Sequence, residues 1–344
     1  MIHIVLLVVC ALAIYLSCEW FINAIEWLGV RMRIGGMAVG TILAAAGTAL
    51  PESVVTLMAV LFGSAENGND IAVGAAMGGP LVVGTIAYAV TGGMLFLRLR
   101  KKRAMAMPGS IGAPGTDLRD DEDVDTRRLA RDQIWFLSIF AVKVALGLVA
   151  FAIKPWLGLL FLVAYGVYFY KEMTDDGADA SADDLEPLKL RPKASVPGTG
   201  AVVLQTLGSL VVIFIASQVF VEQLEWAGPA LGLPAVVVAL LLSPIATELP
   251  EIMNAIIWVR QGKANLALAN ISGSMMIQAT VPSAIGIGLT SWRFDTPLML
   301  AGFLTLASVS YLLLVMKRGA FTPAKLLFAG GFYVAFAVGL VLTV

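Results

Sequence analysis

The stretch A-A-A-G-T-A-L-P-E-S-V-V-T-L-M-A runs from Ala44 to Ala59 and combines small and apolar residues with one proline and one carboxylate. A related stretch returns 199 positions later, which places Pro51 on Pro250 and Glu52 on Glu251. The same shift aligns further identical residues: Phe21 with Phe220, Trp27 with Trp226, Thr48 with Thr247, and Gly63 with Gly262. The chain is therefore a duplicated unit, and each copy carries one acid within an apolar segment.

The composition is typical of a polytopic membrane protein, because 59% of the residues are hydrophobic and only 14% are charged. Apolar stretches of about 20 residues, long enough to span a bilayer, recur along both copies. They lie near residues 2–22, 34–61, 71–97, 134–152, 155–171, 201–221, 234–259, 265–289, 296–316 and 324–343. Five spans per copy is an odd number, so the second copy must enter the membrane upside down. The predicted fold is an all-α polytopic membrane protein with ten transmembrane helices as two inverted five-helix repeats.

Two hydrophilic segments divide the predicted spans. Residues 1–171 form the first repeat with a cytoplasmic loop at 99–132, residues 172–197 form an acidic and flexible cytoplasmic linker, and residues 198–344 form the second repeat. Within the loop, four aspartates have a spacing that partly matches a calcium-binding loop: Asp121, Asp123, Asp125 and Asp132. The sixth position of that pattern is not glycine and the twelfth is not glutamate, so a solvated charged loop is the better interpretation.

Lys and Arg residues predict the orientation. Nearly all of them fall on one side of the ten-span arrangement, and only Lys154 and Arg293 fall on the other. The positive side is expected to be cytoplasmic, so both termini are expected on the non-cytoplasmic side of the cell (inner) membrane. The first 30 residues contain no Lys or Arg, so we do not expect a cleaved signal peptide.

Both repeated prolines are expected to free a backbone carbonyl. Proline has no N–H to donate to the carbonyl four residues back, so Pro51 frees the carbonyl of Gly47 and Pro250 frees that of Ala246. Irregular backbone at membrane depth is tolerated where it lines a cavity, and discontinuous helices often present such carbonyls to cations.

Each repeated acid is expected to lie close to other oxygen-bearing groups. Thr48 stands four residues before Glu52, and Thr247 stands four before Glu251, so each hydroxyl shares a helix face with its acid. Two bidentate carboxylates and two freed carbonyls supply about six oxygens, which suits Ca²⁺. The only histidine is His3, so a hard cation is favoured over zinc or copper. Buried acids that merely hold helices together are the alternative, but intramembrane carboxylates are costly and these recur in both copies.

The motifs G-T-A-L-P-E and A-T-E-L-P-E, which end at Glu52 and Glu251, resemble the alpha repeats of the sodium/calcium exchanger family. That family reads close to G-T-S-L-P-E, followed one helix later by G-N-x-x-G-S-N. The resemblance covers nearly the whole chain and implies two inverted five-helix halves with ion sites between them at mid-membrane. It also implies that Glu52 and Glu251 are the central calcium ligands, helped by Thr48, Thr247 and nearby carbonyls.

The second family motif differs between the copies. The second copy reads A-N-I-S-G-S-M and keeps Asn270 and Ser274, with Gln278 one helical turn further. The first copy reads G-A-A-M-G-G-P, so Ala75, Gly79 and Pro80 replace the polar positions. Close helix packing by small residues is our interpretation of this first-copy segment. Half of the side-chain ligands that the family's flanking sodium sites use are therefore absent.

Glu248 is a third acid, three residues before Glu251, at a position where the family usually has serine. Three ionised carboxylates around one divalent ion leave one excess negative charge, so we hypothesise that Glu248 or the Glu52/Glu251 pair carries a proton. The alternative is that Glu248 points away and pairs with a basic neighbour. Lys143 also falls mid-span, and either snorkelling or a pair with an acid would satisfy it.

The leading functional prediction is a secondary antiporter that exchanges Ca²⁺ for Na⁺ by alternating access, with no cofactor and no enzymatic activity. An antiporter of Ca²⁺ or another divalent cation coupled to H⁺ is the alternative. A passive channel and an intramembrane hydrolase are alternatives of other classes, although the chain has no H-E-x-x-H motif and no histidine to act as base for Ser272 or Ser274. A pump is disfavoured because a phosphate-binding loop is absent. The expected partners are Ca²⁺, a monovalent counter-ion and the bilayer, without nucleotide or nucleic acid.

Overall fold

The computed structural model describes residues 2–62, 68–105, 118, 124–150, 153–174, 185–230, 241–318 and 321–343. The regular structure in these ranges is entirely helical, as predicted. In chain order the α-helices are α1 (Ile2–Met32), α2 (Gly36–Ala38), α3 (Ala45–Phe62), α4 (Gly68–Val82), α5 (Tyr88–Met105), α6 (Thr126–Leu148), α7 (Gly158–Thr174), α8 (Thr199–Ala230), α9 (Ser243–Thr247), α10 (Leu249–Gln261), α11 (Ala264–Leu289), α12 (Thr296–Arg318), α13 (Pro323–Phe328) and α14 (Gly330–Thr343). Two π-helical segments precede α3 and α5, at Val39–Ala44 and Val83–Ala87, and a 3₁₀ turn, Lys154–Leu157, precedes α7.

Five stretches of the described residues are long and apolar enough to cross a membrane: Ile2–Met32, Ala72–Lys101, Thr199–Gln223, Thr296–Arg318 and Pro323–Thr343. Their outer faces are apolar, as the exposed Ile4, Val8 and Leu12 of α1 show. A continuous exposed apolar face of this kind is what a lipid environment requires. The chain is an integral membrane protein, whereas ten crossings remain a prediction.

Helix α1 is ten residues longer than the predicted span, and the added part carries an acid that is satisfied inside the protein. Glu26 is buried, and its carboxylate accepts hydrogen bonds from Nε1 of Trp258 at 2.9 Å and from Nζ of Lys263 at 2.5 Å. These contacts tie the first helix of one copy to the second helix of the other.

Helix α11 occupies the centre of the molecule. It packs against α3, α4, α6, α7 and α10, and most of its residues are buried on every side. Gly273 makes one of these approaches possible, because a Cβ at this position would overlap the backbone of Thr41 in the π-helical segment before α3. This close approach brings the second motif of one copy against the first motif of the other.

The loops predicted to share one side of the membrane are neighbours. The guanidinium of Arg98 lies 2.9 Å from the place of a Cβ on Gly262, and the amide of Asp125 donates to Oδ1 of Asn265 at 3.1 Å. At the other end, Nζ of Lys154 donates to the carbonyl of Trp292 at 2.7 Å. Loops that the charge distribution assigns to the same side of the membrane are therefore in contact with each other in the structure.

Two predictions about hydrophilic segments are corrected. Leu188, in the predicted flexible linker, is buried against Ala24, Trp27 and Val202, so residues 185–198 pack on α1 and α8, while 175–184 lie outside the described residues. The calcium-loop alternative is wrong, because helix α6 begins at Thr126 inside the proposed loop. Asp125 caps α6 by accepting from the amide of Arg128, Asp132 is buried within the helix, and Asp121 and Asp123 lie outside the described residues.

Candidate cation site

The first repeated motif lies within a continuous helix. Pro51 falls inside α3, and the backbone leading to it is π-helical over Val39–Ala44. The carbonyl of Gly47 therefore has no amide donor four residues on, as the sequence predicts. The Thr48 hydroxyl donates to the carbonyl of Ala44 at 3.2 Å, which leaves the lone pairs of its oxygen available.

The second repeated motif lies at a break between two helices, so it differs from the sequence prediction. Helix α9 ends and helix α10 begins at Glu248, and Pro250 stands in the first turn of α10. The amide of Glu248 is directed at the carbonyls of Pro244 and Ala246. Pro250 thus starts a helix rather than bending one, and the carbonyl of Ala246 has a donor beside it. The Thr247 hydroxyl donates to the carbonyl of Pro244 at 3.1 Å.

Carboxylates from the two copies converge at Gly79 in α4. A Cβ on Gly79 would lie 2.7 Å from Oε1 of Glu248, 2.8 Å from Oε2 of Glu52 and 3.2 Å from Cδ of Gln278. Gln278 also donates through Nε2 to Oε1 of Glu248 at 2.7 Å. Glu248 therefore faces Glu52, and the alternative in which it turns away towards a basic residue is wrong. The missing side chain of Gly79 leaves the room that these three side chains share.

A small cavity joins the two copies beside this cluster. It has a volume of ≈ 40 Å³, enough for a water-sized ligand. Its walls include Thr48 and Glu52 from the first copy and Thr247 from the second, together with Ser217 and Gln218 of α8. The two threonines, which are 199 positions apart in sequence, thus line one cavity.

Several fully buried polar side chains around α10 and α11 have atoms without a hydrogen-bond partner. Both carboxylate oxygens of Glu251 are in this state, as are both polar atoms of Asn254 and of Asn270, the hydroxyl of Ser274 and Oε1 of Gln278. Most buried polar atoms in folded proteins have a partner, so these side chains are candidates for binding a ligand. Asn254 was not singled out from the sequence, although it stands three residues after Glu251 on the same face of α10.

The sequence model of the family described as sodium/calcium exchanger protein matches residues 2–171 and 201–343, which is most of the chain and both copies. This chain belongs to the sodium/calcium exchanger family. The inner membrane protein YrbG of Escherichia coli K12 is 25% identical over 347 residues, covering 97% of this chain and 95% of that protein.

Solved structures of the sodium-calcium exchanger NCX_Mj share the fold. The structure soaked with 2.5 mM Na⁺ and 0.1 mM Ca²⁺ matches with a TM-score of 0.71 at 15% identity, covering 97% of each chain. The structure soaked with 10 mM Na⁺ and 10 mM Sr²⁺ matches with a TM-score of 0.72 at 15% identity, covering 97% of this chain and 96% of the other. The architecture of this family member is therefore that of an exchanger, and the family consists of transporters rather than enzymes.

This family member also has a buried lysine beside the cluster. Lys143 of α6 is fully buried, and its Nζ donates to the carbonyls of Ala76 at 2.6 Å and Gln278 at 3.3 Å. It thus neither snorkels to the membrane surface nor has a carboxylate as its hydrogen-bond acceptor. The sequence held a signal for this contact, because Pro80 and Pro282 stand four residues after these two carbonyls.

Proposed function

We propose that this chain is a secondary antiporter that exchanges Ca²⁺ for Na⁺ across the membrane by alternating access. The observation that carries the proposal is the meeting of Glu52 and Glu248, from opposite copies, at the missing side chain of Gly79. A site shared between two halves opens to either side when one half moves against the other. Membership of the sodium/calcium exchanger family supports transport of calcium and a monovalent cation.

Hard oxygen ligands form the proposed calcium site. Glu52 and Glu251 hold the ion at mid-membrane, with Glu248 as a third acid, and the hydroxyls of Thr48 and Thr247 line the adjoining cavity. The carbonyl of Gly47, freed by proline, adds a ligand, while that of Ala246 contributes once the neighbouring amide of Glu248 shifts. About six to eight oxygens satisfy Ca²⁺, and this set provides them without any nitrogen or sulfur ligand.

The monovalent counter-ion is proposed to bind beside the calcium site. Asn270, Ser274 and the side-chain oxygen of Gln278 are buried and lack partners, so they are the proposed ligands for Na⁺. They all lie on α11, in the second copy. Exchange follows from the cost of carrying an empty, negatively charged site through a closed state, because bound cations must neutralise the acids before the halves can move.

Coupling to protons is the second candidate. Oxygens of Glu52 and Glu248 both lie within 2.8 Å of one point, the place of a Cβ on Gly79. Two carboxylates this close favour the binding of a proton between them when no metal neutralises them. In this version H⁺ replaces or supplements Na⁺ as the counter-ion, and the divalent ion is Ca²⁺ or another hard cation.

The proposed arrangement in the membrane has ten crossings in two inverted repeats. The loops rich in Lys and Arg lie in the cytoplasm, and both termini lie on the opposite side of the cell membrane. Cysteine labelling of Ile2 and Thr343 in intact cells tests this, because a membrane-impermeant thiol reagent is expected to reach a cysteine at either position.

Flux in proteoliposomes tests the proposed exchange. Vesicles loaded with Na⁺ should take up radioactive Ca²⁺ when diluted into Na⁺-free medium, and vesicles loaded with choline should not. Uptake that follows an imposed pH gradient and ignores Na⁺ would select the proton-coupled version. Uptake that needs neither internal counter-ion would identify a channel and end the antiporter proposal. The Glu52→Gln variant measures the leak that remains without the site. The Gly74→Ala variant, on the neighbouring helix α4, controls for the effect of a substitution outside the site.

A further inference from the structure

Lys143 lies between two carbonyls that prolines have deprived of their helical donors. Pro80 in α4 leaves the carbonyl of Ala76 without an amide, and Pro282 in α11 does the same to that of Gln278. The ammonium of Lys143 donates to these carbonyls at 2.6 and 3.3 Å. One carbonyl comes from each copy, so the group that joins them sits at the interface between the halves.

The surroundings of this ammonium suit a cation. The Lys143 side chain has no exposed surface, and its Nζ lies 5.0 Å from the centre of the Phe140 ring and 6.0 Å from that of the Trp292 ring. Aromatic faces attract cations, and freed carbonyls are the groups that discontinuous membrane helices offer to transported ions. The ammonium thus occupies a position with the character of a monovalent cation site.

The same ammonium is next to the acidic cluster. Gln278 accepts from Lys143 through its carbonyl and donates to Glu248 through its side chain, so one residue joins the two. Ala76, the other acceptor, stands three residues before Gly79, where Glu52 and Glu248 meet. The charge of Lys143 therefore acts on the carboxylates from one residue away, within the buried interior of the protein.

We propose that Lys143 is a tethered cation that takes the place of one transported monovalent ion. The inference rests on the proposed function and deepens it. With Glu52, Glu248 and Glu251 ionised and Lys143 protonated, the four side chains together carry a net charge of minus two. One Ca²⁺ or two monovalent cations neutralise that charge. Exchange of two monovalent ions for one Ca²⁺ moves no net charge across the membrane.

Calcium binding to purified protein separates this electrostatic role from a packing role. Removing a nearby positive charge strengthens the attraction for Ca²⁺, so Lys143→Met is expected to tighten calcium binding about tenfold or more in isothermal titration calorimetry. Glu248→Gln is expected to weaken it, and the double variant to return close to wild type. Weaker or unchanged binding in Lys143→Met would overturn the inference, because loss of packing alone does not raise affinity for a cation.

Lys154 provides a matched control. It is also buried and donates to three backbone carbonyls, those of Val149, Ser291 and Trp292, at the end of the molecule opposite the basic loops. Lys154→Met is expected to leave calcium affinity within about twofold of wild type. Lys143→Arg retains the charge and is expected to bind Ca²⁺ more weakly than Lys143→Met does, and size-exclusion chromatography reports whether each variant is folded.

Charge movement is the second readout. In proteoliposomes whose potential is clamped with valinomycin and K⁺, the initial rate of calcium exchange is expected to be the same at 0 and −100 mV. A rate that changes several-fold with potential would overturn the tethered cation while leaving the antiporter proposal intact. A wild-type protein that binds no Ca²⁺ in the calorimeter would overturn the proposed function, and this inference with it.

Discussion

Substitution of Gly79 by alanine tests the geometry of the candidate site most directly. The added Cβ would lie 2.7 Å from Oε1 of Glu248 and 2.8 Å from Oε2 of Glu52, whereas ordinary contact begins near 3.4 Å. Each carboxylate oxygen would therefore have to withdraw by about 0.6–0.7 Å. Helix α4 itself should tolerate the change, because alanine stabilises a helix interior by roughly 0.5–1 kcal/mol relative to glycine.

The displacement is large on the scale of metal coordination. Ca²⁺ accepts oxygen ligands within about 2.3–2.6 Å, a range narrower than the required movement. Misplacement of binding groups by about 1 Å costs up to about 100-fold, so we expect Gly79→Ala to weaken calcium binding by roughly 10- to 100-fold. This loss corresponds to about 1.4–2.8 kcal/mol of binding free energy.

The measurement is calcium titration of purified Gly79→Ala together with radioactive calcium uptake into proteoliposomes. Gly74→Ala is the matched control, because it lies on the same helix and its added Cβ would meet nothing within 4 Å. Both variants gain the same helix propensity. Wild-type affinity and flux in folded Gly79→Ala would show that Ca²⁺ does not bind where these carboxylates meet, and would refute the site.

Three further predictions follow from the same structure. Glu52→Gln and Glu251→Gln are each expected to reduce calcium exchange to the level of protein-free vesicles while leaving the protein folded, and wild-type flux in both would end their assignment as ligands. Asp121→Ala is expected to change exchange less than twofold, because Asp121 belongs to the predicted loop at 99–132 and not to the repeated motifs; a large loss would indicate a regulatory role for the loop. Glu26→Ala is expected to lower stability by about 3 kcal/mol, since Trp258 and Lys263 both lose their acceptor; a melting temperature unchanged in detergent would contradict this.

The repeat in the sequence was enough to predict that some central residues of the two copies lie close together. Identical residues at a fixed offset must occupy equivalent places in the two copies, so Thr48 and Thr247 could be expected to meet wherever the copies face each other, and they line one cavity. The all-helical class followed from the composition and from the length of the apolar stretches. What periodicity could not supply was the difference between the copies: Pro51 lies within a helix, whereas Pro250 starts one after the break at Glu248.

Contacts between helices were harder to foresee than positions along them. Lys143 was readable as an unusual charge, but its acceptors are backbone carbonyls on two other helices, for which the prolines four residues further on were the available signal. Asn254 has no distinctive feature in the sequence, because its burial and the missing hydrogen-bond partners of its amide are visible only in the structure. The partners of Glu26, Trp258 and Lys263, are more than 200 positions away along the chain, so no local pattern predicts these contacts.

Gly79 also bears on how the duplicated halves have diverged. At the positions where the second copy has polar side chains on α11, the first copy includes Gly79, which has no side chain. Glu248 and Gln278 of the second copy occupy the space beside it. The two halves are thus complementary rather than equivalent at this site. Asparagine or serine at position 79 would crowd Glu248 and Glu52, so the polar pattern of the second copy cannot be transferred to the first by this single substitution.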